Sequence, residues 1–265
     1  MKDILYATLI ITILGIVCGA LLAVASKFMR VKTDERTERI RNCLPGINCG
    51  ACGFSGCDGY ADALVRDDAT KTNLCVPGAA ATAKSISEIM GVETEEIGQQ
   101  IAYIQCNGDA DATKKRFNYV GISTCSAASL YYGGDGECTF GCIGFGDCAA
   151  VCPTNSIYLA KNIAHVNEHT CIGCELCAKK CPKHIIGMRP KDKEVFVACS
   201  NKERGAIAIK KCKNACIACR KCEKTCPTDA IKVIDNLARI DYKKCIDCKQ
   251  CFEVCPTGCI RAIKK

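Results

Sequence analysis

The sequence predicts a small α+β protein that is dominated by bound cofactors, and three observations lead to this prediction. Cysteine supplies 27 of the 265 residues. Twelve of these cysteines lie in three copies of one phrase, C-x2-C-x2-C-x3-C-P, which begin at Cys171, Cys216 and Cys245. An uncharged stretch, residues 4–25, stands near the N-terminus. The expected architecture is one N-terminal transmembrane helix, a four-cysteine module and two tandem units that carry the repeated phrase.

The first element, residues 1–30, is predicted to anchor the chain in the cell membrane. Residues 4–25 are long enough to span a bilayer as a helix. Lys2 before this stretch is offset by Asp3, whereas six basic residues follow it. These are Lys27, Arg30, Lys32, Arg36, Arg39 and Arg41. By the positive-inside rule, the asymmetry favours an uncleaved single-pass anchor with the bulk of the chain on the cytoplasmic side. The A-x-A sequence at residues 23–25 leaves a cleavable signal peptide as the alternative.

The second element, residues 31–80, combines a charged stalk with a four-cysteine module. Its spacing is Cys49-x2-Cys52-x4-Cys57-x17-Cys75. Three close thiolates and one remote thiolate suit a [4Fe-4S] cluster. The alternative is a set of four buried free thiols.

Residues 81–137 are expected to form a linker of helices and loops. Residues 84–90 and 94–105 have weak helical patterns, and the linker ends in a glycine-rich turn. It also contains Cys106 and Cys125.

An internal repeat defines the last two elements, unit 1 (residues 138–190) and unit 2 (residues 212–265), with residues 191–211 between them. The spacing from Cys152-Pro153 to Cys171 equals the spacing from Cys226-Pro227 to Cys245. The stretch after each Cys-Pro predicts a β-hairpin that turns at residues 161–162 or 235–236. The repeated phrase is that of bacterial ferredoxins, in which three close cysteines bind one cluster and the fourth binds its neighbour. Two tandem ferredoxin-like units are therefore expected.

This rule gives four further [4Fe-4S] ligand sets, so five clusters are expected in total. In unit 2 the sets are Cys216, Cys219, Cys222 with Cys255, and Cys245, Cys248, Cys251 with Cys226. In unit 1 they are Cys138, Cys142, Cys148 with Cys181, and Cys171, Cys174, Cys177 with Cys152. The first half of unit 1 departs from the phrase, and Gly141, Gly144 and Gly146 fall in its wider gaps.

Seven cysteines fall outside these sets. Candidate ligands of a sixth cluster are Cys106, Cys125, Cys199 and Cys212, since the entry and exit segments of a closed ferredoxin unit are expected to lie near each other. Cys18 in the apolar stretch, Cys43 and Cys259 are interpreted as packing residues. The isolated residues His165, His169 and His184 do not form the pair that a Rieske-type centre needs.

Composition narrows the function further. A disulfide scaffold is disfavoured by the length, the odd cysteine count and the metal-ligand spacing, and zinc by the triple C-x2-C spacing. The basic residues lie between cluster ligands and Trp is absent, which disfavours nucleic acid. Without a G-x-G-x-x-G motif or a Walker loop, no NAD or flavin site of its own and no catalytic residues are expected. The sequence thus predicts an electron carrier.

The module phrase L-P-G-I-N-C-G-A-C-G at residues 44–53, the Y-G-G and G-C-I-G-F-G-D-C segments at residues 132–148 and the ferredoxin repeats together resemble the B subunits of Rnf complexes. The resemblance covers nearly the whole chain. It implies an enzyme subunit, part of a membrane-bound ferredoxin:NAD⁺ oxidoreductase that couples electron flow to Na⁺ or H⁺ translocation. The expected partners are the other membrane and peripheral subunits and soluble reduced ferredoxin. An iron–sulfur subunit of another membrane oxidoreductase, such as a hydrogenase, and a zinc or metal-storage protein are the alternatives.

The charge distribution suggests where an acidic ferredoxin would dock. Residues 171–265 carry 22 Lys/Arg against 10 Asp/Glu, although the whole chain has a net charge of only +8. The basic residues around the Cys216 set are Lys210, Lys211, Lys213, Arg220, Lys221 and Lys224. They are expected either to steer ferredoxin or to form a merely solvated face.

Overall fold

The computed structural model describes residues 2–28, 34–67, 69–93 and 98–263. Its helices are α1 (Lys2–Phe28), α2 (Glu35–Cys43), α3 (Cys57–Arg66), α4 (Ala79–Met90), α5 (Cys125–Ser129), α6 (Asp147–Ala150), α7 (Leu176–Lys180), α8 (Gly205–Lys211), α9 (Lys221–Thr225) and α10 (Gln250–Glu253). Its strands are β1 (Gln100–Ile104), β2 (Ile157–Ala160), β3 (Ile163–Val166), β4 (Ile186–Pro190), β5 (Val195–Val197), β6 (Ile231–Ile234), β7 (Leu237–Ile240) and β8 (Ile260–Ala262). Apart from the long helix α1, the fold is therefore a mixture of short helices and strands, as predicted.

A tight hairpin lies in each ferredoxin-like unit. Strands β2 and β3 pair antiparallel in unit 1, and β6 and β7 pair in the same way in unit 2. The turn residues Lys161 and Asn162 have φ values of 48° and 65°, and Asp235 and Asn236 have 50° and 61°. Two consecutive positive φ angles are typical of the type I′ turn, whose twist matches that of the flanking strands. Both predicted hairpins are confirmed.

A second two-stranded sheet completes each unit, and each draws one strand from a segment that was expected to be a linker. Strand β1 pairs antiparallel with β4, and β5 pairs antiparallel with β8. The helix predicted over residues 94–105 is therefore wrong for Gln100–Ile104, while residues 94–97 lie outside the described residues. Ala102 and Ile104 are buried in the core of unit 1 and Ile101 is also buried, and this tertiary burial overrides the weak helical pattern.

The four-cysteine module is helical. Helix α2 packs against both α3 and α4. Their shared core consists of Ile40, Leu44, Tyr60, Ala61, Leu64, Cys75 and Ile86. The Tyr60 hydroxyl donates a 2.7 Å hydrogen bond to the Lys71 carbonyl and accepts one of 3.2 Å from the Leu74 amide. It thereby holds the segment that carries Cys75 against α3.

Helix α1 is continuous over Lys2–Phe28. Among the described residues, no helix combines the length and the apolar character that a membrane crossing requires.

Candidate metal centres

The four cysteines of the module come together in the structure. Asn48 accepts a 2.8 Å hydrogen bond from the amide of Cys57, so the loop that carries Cys49 and Cys52 closes onto the start of α3. Burial raises the pKa of the Cys75 thiol, and the other three thiols of the set add to the rise. Cys52 and Cys57 also pack against the core that contains Cys75, so these side chains lie near one another. One predicted set is thus assembled by the fold.

The first predicted set of unit 2 lines one small cavity. Cys216, Cys219, Cys222 and Cys255 all contribute to its wall. Cys259 joins them, with its sulfur 3.6 Å from that of Cys255. A hydrogen bond from Cys259 lowers the pKa of Cys255 to about 4. Cys259 therefore contacts a candidate ligand directly, which the repeat did not reveal because Ser156 and Ala230 occupy its place elsewhere.

The second predicted set of unit 2 is also brought together. Burial raises the pKa of Cys251 to about 12, with contributions from Cys245, from Cys222 of the other set and from Cys248. Burial also raises the pKa of Cys245, and the neighbouring thiol of Cys226 adds to this rise. The Cys226 sulfur accepts a 3.3 Å hydrogen bond from the amide of Ala230, which fixes it at the end of α9.

In unit 1, the set of Cys171, Cys174, Cys177 and Cys152 has the same construction. Burial raises the pKa of Cys177 to about 12, and the other three thiols add to the rise. The Cys152 sulfur accepts a 3.2 Å hydrogen bond from the Ser156 amide, the counterpart of the Ala230 bond in unit 2. The repeated Cys-Pro turn thus orients the remote ligand in both units.

The remaining predicted set of unit 1 is brought together only in part. Cys142, Cys148 and Cys181 line one cavity, and Cys125 is its fourth cysteine in the described part of the chain. Cys138 instead lines a neighbouring cavity with Cys106, Cys199 and Cys212. Sequence reasoning thus missed Cys125 as a neighbour of Cys148.

The chemistry of the thiol sets fits iron–sulfur clusters. Several sulfurs accept backbone N–H groups at 3.2–3.5 Å, among them those of Cys106, Cys152, Cys171, Cys199, Cys226 and Cys245. Hydrogen bonds of this kind tune the potential of bound clusters. Among the described residues, no three His, Cys, Asp or Glu side chains are closed around one point as ligands of a single ion would be. A cubane does not need that closure, because each thiolate binds a different iron.

Burial makes several of these thiols poor acids on their own. Burial raises the pKa of Cys148 and of Cys199 to about 12, and that of Cys222 to about 11. A thiolate is the ligand form, and bound metal cations stabilise it. Binding to iron therefore offsets the free-energy cost of deprotonating these buried thiols.

The module set lies close to one set of unit 1. Cys49 of the module contributes to the pKa of Cys174 in unit 1. A Cβ placed on Gly173 would lie 3.4 Å from a methyl carbon of Val76, which follows Cys75. The module therefore packs directly against the Cys171–Cys174 loop.

The histidines do not take part in these sets. The ring of His165 stacks on that of Tyr158, with centroids 5.4 Å apart. His184 has a φ of 50° in a turn after Cys181. Their surroundings agree with surface and turn roles.

Three family models match the chain. One, described as "Putative Fe-S cluster", covers residues 44–77. Two are described as "4Fe-4S dicluster domain"; one covers residues 137–185 and 215–259, and the other covers residues 170–231. The matches include the module and both ferredoxin-like units, so tandem 4Fe-4S domains are established for this chain.

Curated relatives resemble almost the whole chain. The B subunit of the Na⁺-translocating ferredoxin:NAD⁺ oxidoreductase complex of Acetobacterium woodii is 40% identical over 236 residues, covering 89% of this chain and 71% of the relative. The B subunit of the proton-translocating complex of Clostridium ljungdahlii is 38% identical, covering 91% and 85%. The B subunit of an ion-translocating oxidoreductase complex of Methanosarcina acetivorans is 31% identical, covering 87% and 88%.

Proposed function

The chain belongs to the B subunits of Rnf-type ion-translocating ferredoxin:NAD⁺ oxidoreductase complexes, and we propose that it accepts electrons from reduced ferredoxin and relays them to other subunits. The observation that carries this proposal is the assembly of separate four-thiol sets, spaced along one chain, that accept backbone hydrogen bonds at sulfur. Bound [4Fe-4S] clusters supply one-electron transfer. The chain's own contribution is to hold these groups at fixed positions and tune their surroundings.

The proposed ligands of four clusters are the predicted sets. They are Cys49, Cys52, Cys57, Cys75; Cys152, Cys171, Cys174, Cys177; Cys216, Cys219, Cys222, Cys255; and Cys226, Cys245, Cys248, Cys251.

We propose that ferredoxin docks on the basic face of unit 2. Lys210, Lys213, Arg220, Lys221 and Lys224 are exposed. Cys219 between them is itself exposed, so a partner can approach this ligand closely. Lys211 differs from the other five because it is half-buried and paired with Glu203. We therefore assign the steering role to the five exposed residues.

Charge reversal tests the docking face. Changing the five exposed residues to Glu should slow reduction by ferredoxin at least about tenfold at low salt and flatten its salt dependence. Lys71→Glu with Lys84→Glu, two exposed changes on the module, is the matched control and should leave the rate unchanged. An unaltered rate in the fivefold variant would eliminate this face as the docking site.

We further propose that α1 is the membrane anchor. Its described side chains include Ile13, Leu14, Ile16 and Val17, all of which are exposed in the isolated chain. A run of exposed apolar residues of this kind is stable only against lipid or protein. A chain without residues 1–28 should lose membrane association in fractionation and keep its iron content. Retained association would assign the attachment to other subunits.

The relay itself is tested with the whole chain purified without oxygen. Reduced ferredoxin should bleach its visible absorption, whereas NADH alone should leave it unchanged because no nicotinamide site is expected. Rapid direct reduction by NADH would contradict the proposal.

A further inference from the structure

The irregular half of unit 1 is a regular repeat with one ligand missing. One constant shift in residue number brings Cys142, Cys148 and Cys152 onto Cys216, Cys222 and Cys226. The same shift places Phe145 at the position of Cys219. Cys142 thus corresponds to the first thiolate of the ferredoxin phrase, and Cys138 stands outside it. Unit 1 therefore lacks its middle thiolate in the local sequence.

Cys125 occupies the place of this missing thiolate. It lines the cavity that contains Cys142, Cys148 and Cys181. Asp147, which precedes Cys148, holds it there. The Asp147 carboxylate accepts a 2.8 Å hydrogen bond from the Cys125 amide, and bonds of 3.0 and 2.8 Å from the amide and hydroxyl of Ser126. The first turn of α5 is thus tied to the ligand loop of unit 1.

Cys138 has its own counterpart in unit 2. The constant shift between the units brings it onto Cys212, and each of the two stands shortly before the first phrase cysteine of its unit. Cys138 and Cys212 line one cavity together with Cys106 and Cys199, and Cys142, which also lines the cavity of Cys125, borders it as well. The cavity thus receives an equivalent cysteine from each unit.

Cys106 and Cys199 form a second equivalent pair. Each closely follows the end of an incoming strand, β1 or β5. The Cys106 sulfur accepts a 3.3 Å hydrogen bond from the Cys142 amide, and the Cys199 sulfur accepts one of 3.3 Å from the Cys216 amide. Each unit therefore contributes one cysteine of each equivalent pair, as expected where two similar units face each other.

Gly108 and Gly141 lie next to sulfurs in the wall of this cavity. A Cβ on Gly108 would lie 3.2 Å from the Cys212 sulfur and 3.7 Å from the Cys106 sulfur. A Cβ on Gly141 would lie 3.7 Å from the Cys106 sulfur. The Asn201 amide lies 3.5 Å from the Cys138 sulfur as a donor. A Cβ at either glycine would therefore contact the sulfurs that line the cavity.

We propose that Cys106, Cys138, Cys199 and Cys212 bind a [4Fe-4S] cluster between the two ferredoxin-like units, and that Cys125 replaces Cys138 beside Cys142, Cys148 and Cys181. This inference rests on the proposed function. With this cluster, the proposed sites form a continuous series from the module through unit 1 to unit 2. The new site, here called the bridging site, adjoins unit 1 through Cys142 and unit 2 through Cys216.

Iron analysis in two variant backgrounds tests the ligand exchange. Cys199→Ala with Cys212→Ala removes the bridging site and should lower the iron content of the whole chain from about 24 to about 20. In this background, Cys138→Ala should change neither the iron content nor the EPR spectrum of the dithionite-reduced protein. Cys125→Ala should remove up to about four further irons or alter the spectrum of one cluster. Cys43→Ala is the control and should be silent.

The reciprocal background reverses the expectation. With Cys142→Ala and Cys148→Ala, the further change Cys125→Ala should be silent and Cys138→Ala should remove or alter a cluster. The corresponding Cys→Ser variants serve where an alanine variant does not fold. The opposite pattern, or the same response from Cys125 and Cys138, would overturn the ligand exchange. Unchanged iron in the Cys199/Cys212 variant would remove the bridging site and leave the relay intact, whereas an iron-free wild-type chain would end the relay proposal itself.

Discussion

Replacing Asp147 by alanine should detach Cys125 from unit 1. The carboxylate accepts three hydrogen bonds from Cys125 and Ser126, and Cys125 is buried. Bonds to a charged acceptor contribute about 1.5–3 kcal/mol each, and they are not fully additive. A local loss of about 3–5 kcal/mol is therefore expected, which favours the detached α5 segment by a factor of about 100 or more.

Alkylation followed by peptide mapping measures this detachment in the iron-loaded protein. Cys125 should become reactive in the Asp147→Ala variant, with the loss of up to about four irons. Asp147→Asn should have a smaller effect, because one side-chain oxygen still accepts. Asp67→Ala removes a comparable turn carboxylate at an exposed position and should be silent. A protected Cys125 and full iron content in Asp147→Ala would refute the role given to this carboxylate.

Three further changes test individual contacts. Gly144→Ala should destabilise unit 1 by more than the roughly 1–2 kcal/mol that a positive φ costs, because the new Cβ would lie 2.3 Å from the backbone oxygen of Asn162. Gly53→Ala should cost only the free energy of the positive φ, because no atom lies within 4 Å of its Cβ position. Chemical denaturation measures both losses. Cys259→Ala removes a hydrogen bond to the sulfur of Cys255 and should lower one cluster potential by about 20–40 mV in a redox titration, equivalent to about 0.5–1 kcal/mol; an unshifted potential would exclude the bond. Arg189→Ala removes a fully buried guanidinium from its ion pair with Glu168. It should lower the free energy of unfolding by about 3 kcal/mol in the same denaturation assay. A loss below about 1 kcal/mol would contradict the structural role of this pair.

The sequence reveals the parts of the fold that depend on local chemistry. The hairpin turns follow from Lys161-Asn162 and Asp235-Asn236, since Asn and Asp side chains tolerate positive φ. Strand β1 could not be found in the same way. Its partner β4 follows only after the hairpin and both ligand loops of unit 1, and nothing in the local pattern records that pairing.

The candidate sites also differ in whether local sequence or distant contacts determine them. Sets built from one phrase and one Cys-Pro turn are predicted from spacing alone. The position of Cys125 depends on hydrogen bonds to Asp147, which is distant in the sequence, so no local motif predicts it. One sequence signal was available: the constant shift between the units places Cys138 opposite Cys212 and Phe145 opposite Cys219. The wide cysteine gaps in the first half of unit 1 suggest a relaxed loop. The proposal instead treats this segment as a regular ferredoxin phrase in which Cys125 replaces one ligand.

The central claim is that the thiols of this chain hold iron–sulfur clusters. The most direct measurement is iron and acid-labile sulfide content of the whole chain purified without oxygen, together with its visible spectrum before and after dithionite. The result expected is about 24 irons with matching sulfide, and a broad absorption that dithionite bleaches. Colourless protein that contains zinc or little metal would contradict it.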